Sequence, residues 1–245
     1  MDQRHSNNSS NNSSAVPLSP SPPRRRGRRG GKRAQKQHAA AAAREQAVTL
    51  QEQARCVAMD CEMVGVGQDG HSSALARVVL IDWQGEVLLD EFVRPDRPVT
   101  DYRTFVSGIT EDDLYGERAL DMDTCRAKVA ALLQDKILIG HALKNDLQAL
   151  NIRHPWYLTR DTAKYEPFMK VRFDDGILWP RKLRELLKEK CHRDIQLPGQ
   201  AHCPYEDALA ALDLYKVVRA KWEKVMEYKV NKTKEIEQSH SAAPQ

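Results

Sequence analysis

The stretch Val57-Ala-Met-Asp-Cys-Glu-Met-Val64 places two acidic residues, Asp60 and Glu62, at the end of an apolar run that is typical of a β-strand. Alternate residues of a strand point to the same side, so the two carboxylates share one face. Two further acidic segments follow, Gly140-His-Ala-Leu-Lys-Asn-Asp146 and His202-Cys-Pro-Tyr-Glu-Asp207. Each lies at the end of an apolar run or at the start of a predicted helix, where an unpaired carboxylate is unfavourable.

Four carboxylates that meet in one cleft repel one another unless cations lie between them. Oxygen ligands of this kind favour Mg²⁺ or Mn²⁺. Two such ions about 3.5–4 Å apart stabilise the attacking and leaving oxygens of an in-line phosphoryl displacement. We therefore predict a site for two Mg²⁺ or Mn²⁺ ions, held by Asp60, Glu62, Asp146 and Asp207.

A histidine lies five residues before the last of these carboxylates. Imidazole ordinarily changes charge between pH 5 and 8, so His202 suits the role of a general base. A capping or surface histidine is the plainer interpretation of His202 taken alone. The neighbouring acidic motifs favour the catalytic one.

Composition separates a basic terminus from a globular region. Residues 1–55 contain eleven Lys and Arg against three Asp and Glu, a balance of +8, and the remainder contains 27 against 31, a balance of −4. Residues 1–36 are mostly Asn, Ser, Pro, Gly and Arg, and they bury too little apolar surface to offset the entropy of ordering. We predict a disordered basic tail over residues 1–54, one globular domain over residues 55–230, and a disordered tail over residues 231–245.

The basic run at residues 24–36 is typical of a nuclear-localisation or nucleic-acid-binding segment, and a solvated tail is the alternative. No apolar run reaches the ~18 residues of a membrane span, and the N-terminus has no hydrophobic signal region. Five cysteines without close repeat spacing fit a reducing compartment. These features predict a nuclear protein without membrane contact.

Three predicted strands, at residues 56–64, 75–83 and 86–94, precede a region in which short strands alternate with helices. The later strands are predicted at residues 136–140 and 157–161. Helices are predicted to begin at Thr110 and to cover residues 121–134, 143–150, 180–190 and 204–230, with Pro180 and Pro204 in first turns. This order favours an α/β fold with a mixed sheet, in which ligands bind at the carboxyl ends of strands.

Two other motifs favour simpler interpretations. Gly65-Val-Gly-Gln-Asp-Gly70 matches the dinucleotide-binding pattern, but a strand follows it instead of a helix, so a glycine-rich hairpin is favoured. The pairs Cys191-His192 and His202-Cys203 contain zinc-ligand types, but their adjacent spacing disfavours a zinc site.

The three acidic segments together resemble the DEDD exonucleases of the ribonuclease H-like superfamily, in the DEDDh branch that carries a histidine in the third motif. Within this branch, the chain is similar to the group of RNA exonuclease 4 and the interferon-stimulated and apoptosis-enhancing nucleases. Further matching segments are Val93-Arg-Pro95, Asp101-Tyr-Arg-Thr104, Ser107-Gly-Ile109 and Arg160-Asp-Thr162. The resemblance implies a ribonuclease H-like three-layer fold with a mixed five-stranded sheet flanked by helices.

The resemblance also implies metal-dependent 3′→5′ hydrolysis of single-stranded RNA from its 3′ end, with single-stranded DNA as an alternative substrate. In that reaction Asp60 bridges the two ions, Glu62 and Asp207 bind the ion that carries the attacking water, Asp146 holds the other ion, and His202 is the general base. One departure is Cys203-Pro-Tyr205, where the family has small residues and valine. Tyr205 is therefore expected to change the packing beside the substrate. Leu209 replaces a commonly basic position.

Five further residues are candidate substrate contacts. Met63 and Val64 would wedge against or stack on the terminal base, which needs no sequence-specific contact. Arg103 would contact a phosphate or the ribose, with a surface ion pair as the alternative. His141 and Asn145 flank Asp146 and would contact the phosphate.

Three functions stay open at this stage. The favoured one is a nuclear exoribonuclease, with ribosomal RNA precursors in the nucleolus suggested by family analogy alone. The second is an assembly factor that binds pre-ribosomal particles and whose nuclease activity matters little. The third is a DNA-directed exonuclease of repair or apoptotic degradation. The sequence does not separate RNA from DNA, because that depends on contacts to the 2′-OH.

Overall fold

The computed structural model describes residues 49–172 and 174–241. Its central sheet contains β1 (Cys56–Val66), β2 (Ser72–Ile81), β3 (Val87–Arg94), β4 (Val99–Asp101), β5 (Leu120–Asp121), β6 (Ile137–Gly140) and β7 (Thr159–Asp161). The strand order is β5-β3-β2-β1-β6-β7, and β4 pairs with the far end of β1. β1, β2 and β3 are antiparallel neighbours, whereas β6 and β7 continue the sheet in parallel.

Helices cover both faces of this sheet. They are α1 (Leu50–Ala54), α2 (Thr104–Ser107), α3 (Glu111–Tyr115), α4 (Met122–Leu133), α5 (Lys144–Leu150), α6 (Leu183–Cys191) and α7 (Pro204–Ser241). Val57 and Met59 of β1 pack against α4 and α5. Cys56 and Ala58 point to the other face and pack against α7. Alternate side chains of β1 thus pack into two apolar layers, one on each face of the sheet. The predicted three-layer α/β fold with a mixed sheet is confirmed.

A two-stranded ribbon lies outside the central sheet. It consists of β8 (Lys170–Val171) and β9 (Leu178–Trp179), which are antiparallel. The ribbon follows β7 in the chain and precedes α6, which packs against α7.

Five strands and the main helices lie where the sequence predicted them. The glycine-rich segment is confirmed as the hairpin between β1 and β2. Gly65 is required there because a Cβ on it would lie 2.4 Å from the carbonyl oxygen of Gly70. The sheet also contains β4 and β5, which the prediction of five strands lacked. Two or three residues are too short to show a strand periodicity.

Two helix boundaries differ from the prediction. Pro180 does not open α6, which begins at Leu183, because the preceding residues pair as β9. The last helix continues to Ser241, past the predicted end near residue 230. Residues 231–241 are rich in Lys, Glu and Gln, which favour helices without an apolar stripe. Most of the predicted basic tail, residues 1–48, lies outside the described residues, and the domain boundaries stay predictions.

Across residues 49–172 and 174–241, the helices are all too short or too polar to cross a lipid bilayer.

Candidate active site

The four predicted carboxylates come from three elements that meet at one edge of the sheet. Asp60 and Glu62 lie on β1, Asp146 lies on the first turn of α5, and Asp207 lies on the first turn of α7. Glu62, Asp146 and Asp207 are buried, and Asp60 is half-buried. The position of Asp146 and Asp207 at helix N-termini favours their charged forms, because the helix dipole is positive at that end.

Burial raises the pKa of each carboxyl group in this cluster, and repulsion from the other carboxylates of the cluster raises those of Asp60 and Glu62 further. The pKa of Asp60 lies well above its usual range, because of burial and then the charges of Asp146, Asp207 and Glu62. Burial and the neighbouring Asp207 raise the pKa of Glu62 to about 8, although the guanidinium of Arg77 opposes this. Burial raises the pKa of Asp146 to about 7. Such a cluster is unfavourable by itself and becomes favourable when cations lie within it.

The geometry around Asp207 fits a metal ligand. Its Oδ2 accepts a hydrogen bond from Nε2 of Gln196 at 2.8 Å, whereas its buried Oδ1 has no hydrogen-bond partner. Oxygen atoms of Glu62 and Asp207 and a ring nitrogen of His202 lie within 4.8 Å of one another. A buried carboxylate oxygen without a partner normally binds a cation or an ordered donor. This part of the site can therefore hold a divalent metal ion.

His202 lies at the rim of the acidic cluster. Its Nδ1 is 3.7 Å from Oδ2 of Asp207, and its side chain is 34% exposed. The backbone N–H of His202 donates to the carbonyl of Val106 at 2.7 Å, which fixes the loop before α7 against α2. The imidazole is thus accessible to water and lies beside a carboxylate.

The loop that presents Asp146 is held by the end of β7. Ala142 has a left-handed backbone (φ 59°), and its N–H donates to Oδ1 of Asp161 at 2.8 Å. The same oxygen accepts from the N–H of Ala163 at 3.0 Å. Thr162 Oγ1 lies 2.9 Å from Nδ1 of His141 and donates to the carbonyl of Gly140. Asp161 and Thr162 therefore position the turn between β6 and α5.

The sequence did not assign a role to these positioning residues. The segment Arg160-Asp-Thr162 stood out only as part of the family resemblance. Gln196 carries no local signal, because its hydrogen bond to Asp207 joins a loop to the first turn of α7, and only the folded chain brings the two together.

A cavity of about 270 Å³ opens beside the carboxylates, and four of the predicted substrate residues line it. These residues are Met63, Arg103, His141 and Asn145, and they share the cavity with Asp60, Glu62 and Asp146. A larger neighbouring cavity of about 680 Å³ shares Met63 and Asn145. The structure thus brings an apolar side chain, a cation and two polar side chains next to the acidic cluster.

Arg103 is fixed in place by the hairpin between β1 and β2. Its guanidinium donates to Ser73 Oγ at 3.0 Å and to the carbonyl of Gly70 at 2.8 Å. Its backbone is left-handed (φ 50°), and its N–H donates to Oδ1 of Asp101. Arg103 therefore does not form the surface ion pair that was its alternative interpretation.

Val64 lies elsewhere than predicted. Its side chain is fully buried in an apolar cluster with Ala76, Ile109 and Leu114. Val64 follows Glu62 on the same face of β1, but the segment of α2 and α3 covers that position. The predicted contact between this side chain and a substrate is corrected, because the side chain has no exposed surface.

Tyr205 also points away from the carboxylates. Its hydroxyl donates to the carbonyl of Gly85 at 3.2 Å, in the turn between β2 and β3. Leu209 approaches the same turn, and both side chains join the apolar cluster of α7. The expected change in packing beside the substrate is therefore not observed for Tyr205.

The exonuclease family model matches residues 57–215, which contain all four carboxylates and His202. The chain belongs to the exonuclease family. This confirms the resemblance inferred from the three acidic segments. Exonucleases of this family depend on divalent metal ions, and the acidic cluster provides a site for them.

RNA exonuclease 4 of Cryptococcus neoformans is 44% identical over 176 residues, which cover 71% of this chain and 41% of that protein. RNA exonuclease 4 of Homo sapiens is 43% identical over 169 residues, which cover 69% and 38%. The apoptosis-enhancing nuclease of Homo sapiens is 38% identical over 172 residues, which cover 69% and 51%. The chain therefore matches between 38% and 51% of the length of these curated relatives.

Solved structures share the fold. A module of Saccharomyces cerevisiae Pan2, described as a pseudoubiquitin hydrolase–RNA exonuclease in complex with AAGGA RNA, has a TM-score of 0.58 and 28% identity. The match covers 80% of this chain and 35% of that one. The catalytic unit of Neurospora crassa Pan2 has a TM-score of 0.56 and 26% identity, with 73% and 29% covered. These neighbours confirm a ribonuclease H-like fold.

Proposed function

We propose that the protein is a metal-dependent 3′→5′ exoribonuclease that releases nucleoside monophosphates from the 3′ end of single-stranded RNA. The observation that carries this proposal is the convergence of Asp60, Glu62, Asp146 and Asp207 beside His202. Membership of the exonuclease family supports it. RNA is favoured over DNA because relatives are named RNA exonucleases and a structural neighbour was solved with RNA.

The four carboxylates are the residues that would hold two Mg²⁺ or Mn²⁺ ions. Their oxygens are hard donors, and the partnerless Oδ1 of Asp207 and the raised pKa values of Glu62 and Asp146 fit a cluster that gains stability from cations. When bound, such ions stabilise the charge that develops on the scissile phosphate.

His202 would accept the proton of the attacking water. Its Nδ1 faces Oδ2 of Asp207 at 3.7 Å, so Nε2 is the ring nitrogen that would take that proton. The carboxylate then stabilises the imidazolium that forms, as general-base catalysis requires. Gln196 holds Asp207 in place by its hydrogen bond, so the base and its partner keep their orientation.

The cavity beside the carboxylates would hold the terminal nucleotide. Met63 offers an apolar surface to a base, and such a contact reads no sequence. Arg103 is fixed at the wall by Ser73 and Gly70, so it reaches a phosphate or ribose without losing side-chain entropy on binding. His141 and Asn145 lie near Asp146, where the phosphate would lie.

Incubation of the purified protein with matched end-labelled RNA and single-stranded DNA tests this function. We expect stepwise loss of nucleoside monophosphates from the 3′ end of RNA with Mg²⁺ or Mn²⁺, and none with chelator. A 3′-phosphate should block the reaction, since the terminal pocket would have to accept the additional charge. Faster degradation of DNA would favour the repair or apoptotic alternative, and endonucleolytic products or metal-independent cleavage would contradict the proposal.

We further propose that the protein acts in the nucleus, in the nucleolus in particular, on ribosomal RNA precursors. The support is the +8 balance of residues 1–55 and the basic run at residues 24–36. An assembly factor that only binds pre-ribosomal RNA would have no need of four clustered carboxylates.

Deletion of residues 1–48 is expected to leave hydrolysis of short oligonucleotides within about threefold, but to weaken binding to long RNA and to disperse nuclear localisation. Lys and Arg contacts release counterions from RNA, so log affinity for long RNA should depend less steeply on log salt after the deletion. The slopes for the full-length and truncated proteins, and the location of tagged forms in cells, provide the measurement. Equal slopes with an unchanged nuclear signal would show that the basic run is only a solvated tail.

A further inference from the structure

The ribbon of β8 and β9 exposes an apolar surface that the proposed mechanism does not use. Val171 and Leu178 pair across the ribbon, as do Lys170 and Trp179. Paired residues share a face and successive residues alternate, so Val171 and Leu178 lie on one face of the ribbon, and Trp179 lies on the other with Lys170 and Ile177. Ile177 and Trp179 are 55% and 45% exposed. Exposed apolar side chains that lie side by side mark a binding surface more often than isolated ones do.

The chemistry of this surface combines an indole with cations. The guanidinium carbon of Arg172 lies 4.9 Å from the centre of the Trp179 ring. Arg172 also forms an ion pair with Asp175, which holds it over the ring. Exposed aromatic rings next to Lys and Arg are the usual platform for single-stranded nucleic acid, because bases stack on the rings and phosphates contact the cations.

The charge of the segment around the ribbon differs from that of the rest of the domain. Residues 164–184 contain six Lys and Arg against three Asp and Glu, a balance of +3. The other residues between 56 and 245 contain 21 against 28, a balance of −7. A local positive surplus in an acidic domain attracts a polyanion to that one place.

Both ends of this segment reach the active site. At its start, Lys164 Nζ lies 3.7 Å from Oδ2 of Asp161, the residue that positions the loop of His141 and Asp146. After the ribbon, the backbone of Arg181 contacts His141: burial lowers the pKa of this histidine, and Asp161 and the backbone of Arg181 oppose that shift. Further along, Gln196 donates to Asp207. The segment that carries the ribbon therefore begins beside Asp161, which positions the loop of Asp146, and ends beside His141, which lines the cavity at the carboxylates.

We propose that this ribbon binds the substrate strand upstream of its 3′ end, with a base stacked on Trp179 and phosphates against Lys170, Arg172 and Arg181. The inference rests on the proposed function in that the occupant is single-stranded nucleic acid. The cavity beside the carboxylates takes the terminal nucleotide, and an open surface has to take the remainder of a strand of any length. Stacking and phosphate contacts read no sequence, so the ribbon holds the upstream strand equally well after each terminal nucleotide is removed.

Trp179→Ala in the full-length protein tests the proposal, with Trp156→Ala as the matched control. Trp156 is 51% exposed, but it lies just before the amino end of β7. The site lies near the carboxyl ends of the parallel strands. Binding is measured in chelator by the anisotropy of a 5′-fluorescein RNA dodecamer. We expect Trp179→Ala to weaken binding about tenfold or more, Trp179→Phe to restore most of it, and Trp156→Ala to change it less than about twofold.

Kinetics and cross-linking give readouts that loss of folding would not produce. Trp179→Ala should raise KM for the dodecamer with kcat nearly unchanged, while kcat/KM for a trinucleotide stays close to wild type. A 4-thiouridine placed upstream of the terminal nucleotide should cross-link to the peptide of residues 170–182 under ultraviolet light. Cross-links to that peptide only from the terminal nucleotide would reverse the assignment of the two surfaces.

The outcomes separate this proposal from the proposed function. Degradation of RNA by a Trp179→Ala protein that binds the dodecamer as tightly as wild type would overturn the ribbon as a strand-binding surface and favour a protein partner there. Binding that depends on Trp179, without any hydrolysis under all metal conditions, would support the ribbon and overturn the exonuclease.

Discussion

Asp207→Asn is expected to lower nucleotide release by about 10³-fold or more while the domain stays folded. Asp207 is one of the four buried or half-buried carboxylates, and its Oδ1 has no hydrogen-bond partner that an amide would lose. The hydrogen bond from Gln196 to Oδ2 should survive in the variant. The amide removes the negative charge that holds the divalent cation, so chemistry is lost without loss of packing. Asp60→Ala should have a similar effect on activity.

The same substitution is expected to stabilise the metal-free protein, more so at high pH. The pKa of Glu62 rises from an ordinary value of 4.5 to about 8 in the folded protein. Between these two pH values, the folded state therefore binds more protons than the unfolded state. The contribution of Glu62 to the free energy of unfolding is therefore fully present below pH 4.5, and it is lost as the pH rises toward 8. Removing one charge from Asp207 relieves part of that repulsion. We expect Tm in chelator to rise by about 2–4 °C at pH 8 and to change little near pH 4.5.

Asp213→Asn is the matched control. Asp213 lies on α7 like Asp207, but it pairs with Arg193 outside the acidic cluster. This variant should keep wild-type activity and should not gain stability as the pH rises. Calorimetry with and without Mg²⁺ completes the test, since the ion should raise Tm of the wild type more than that of Asp207→Asn. An Asp207→Asn protein with a tenth or more of wild-type activity in Mg²⁺ would remove Asp207 from the metal site.

The sequence predicted the acidic set because β1 is a central strand. Burial on both faces gives an apolar run, and Asp60 and Glu62 interrupt that run at a spacing that only a shared face explains. Asp146 and Asp207 could be predicted for a similar reason, since each begins a helix directly after an apolar strand or loop. These are local patterns, and local patterns determine where secondary structure begins and ends.

What the sequence did not predict depends on tertiary contacts. Val64 shares a strand face with the carboxylates, and only the folded chain shows that Ile109 and Leu114 cover it. Gln196 reaches Asp207 from a loop, and no local pattern connects the two residues. The tail over residues 1–48, the RNA preference and the nuclear location stay predictions, because the described residues contain nothing that tests them.

His202→Ala is expected to lower kcat by about 10²–10⁴-fold, the usual loss when a general base is removed. Metal affinity should change little, because the four carboxylates remain. Only a neutral imidazole accepts the proton of the attacking water, so the wild-type rate should fall when the pH is lowered far enough to protonate the base. The measurement is kcat from pH 5 to 8 for the wild type and the variant, at saturating metal.

Saturating metal matters because the carboxyl groups also lose protons in this range. The raised pKa values of Glu62 and Asp146, about 8 and about 7 without cations, make metal binding itself depend on pH. Excess metal lowers the pH at which the carboxylates are occupied by metal. The remaining pH dependence of kcat then reports on the general base. His240→Ala, at the exposed end of α7, should keep the wild-type profile. A rate profile of His202→Ala that still rises with pH as the wild-type profile does would exclude His202 as the base. A large fall in metal affinity would instead make His202 a metal ligand, which its position within 4.8 Å of Glu62 and Asp207 allows.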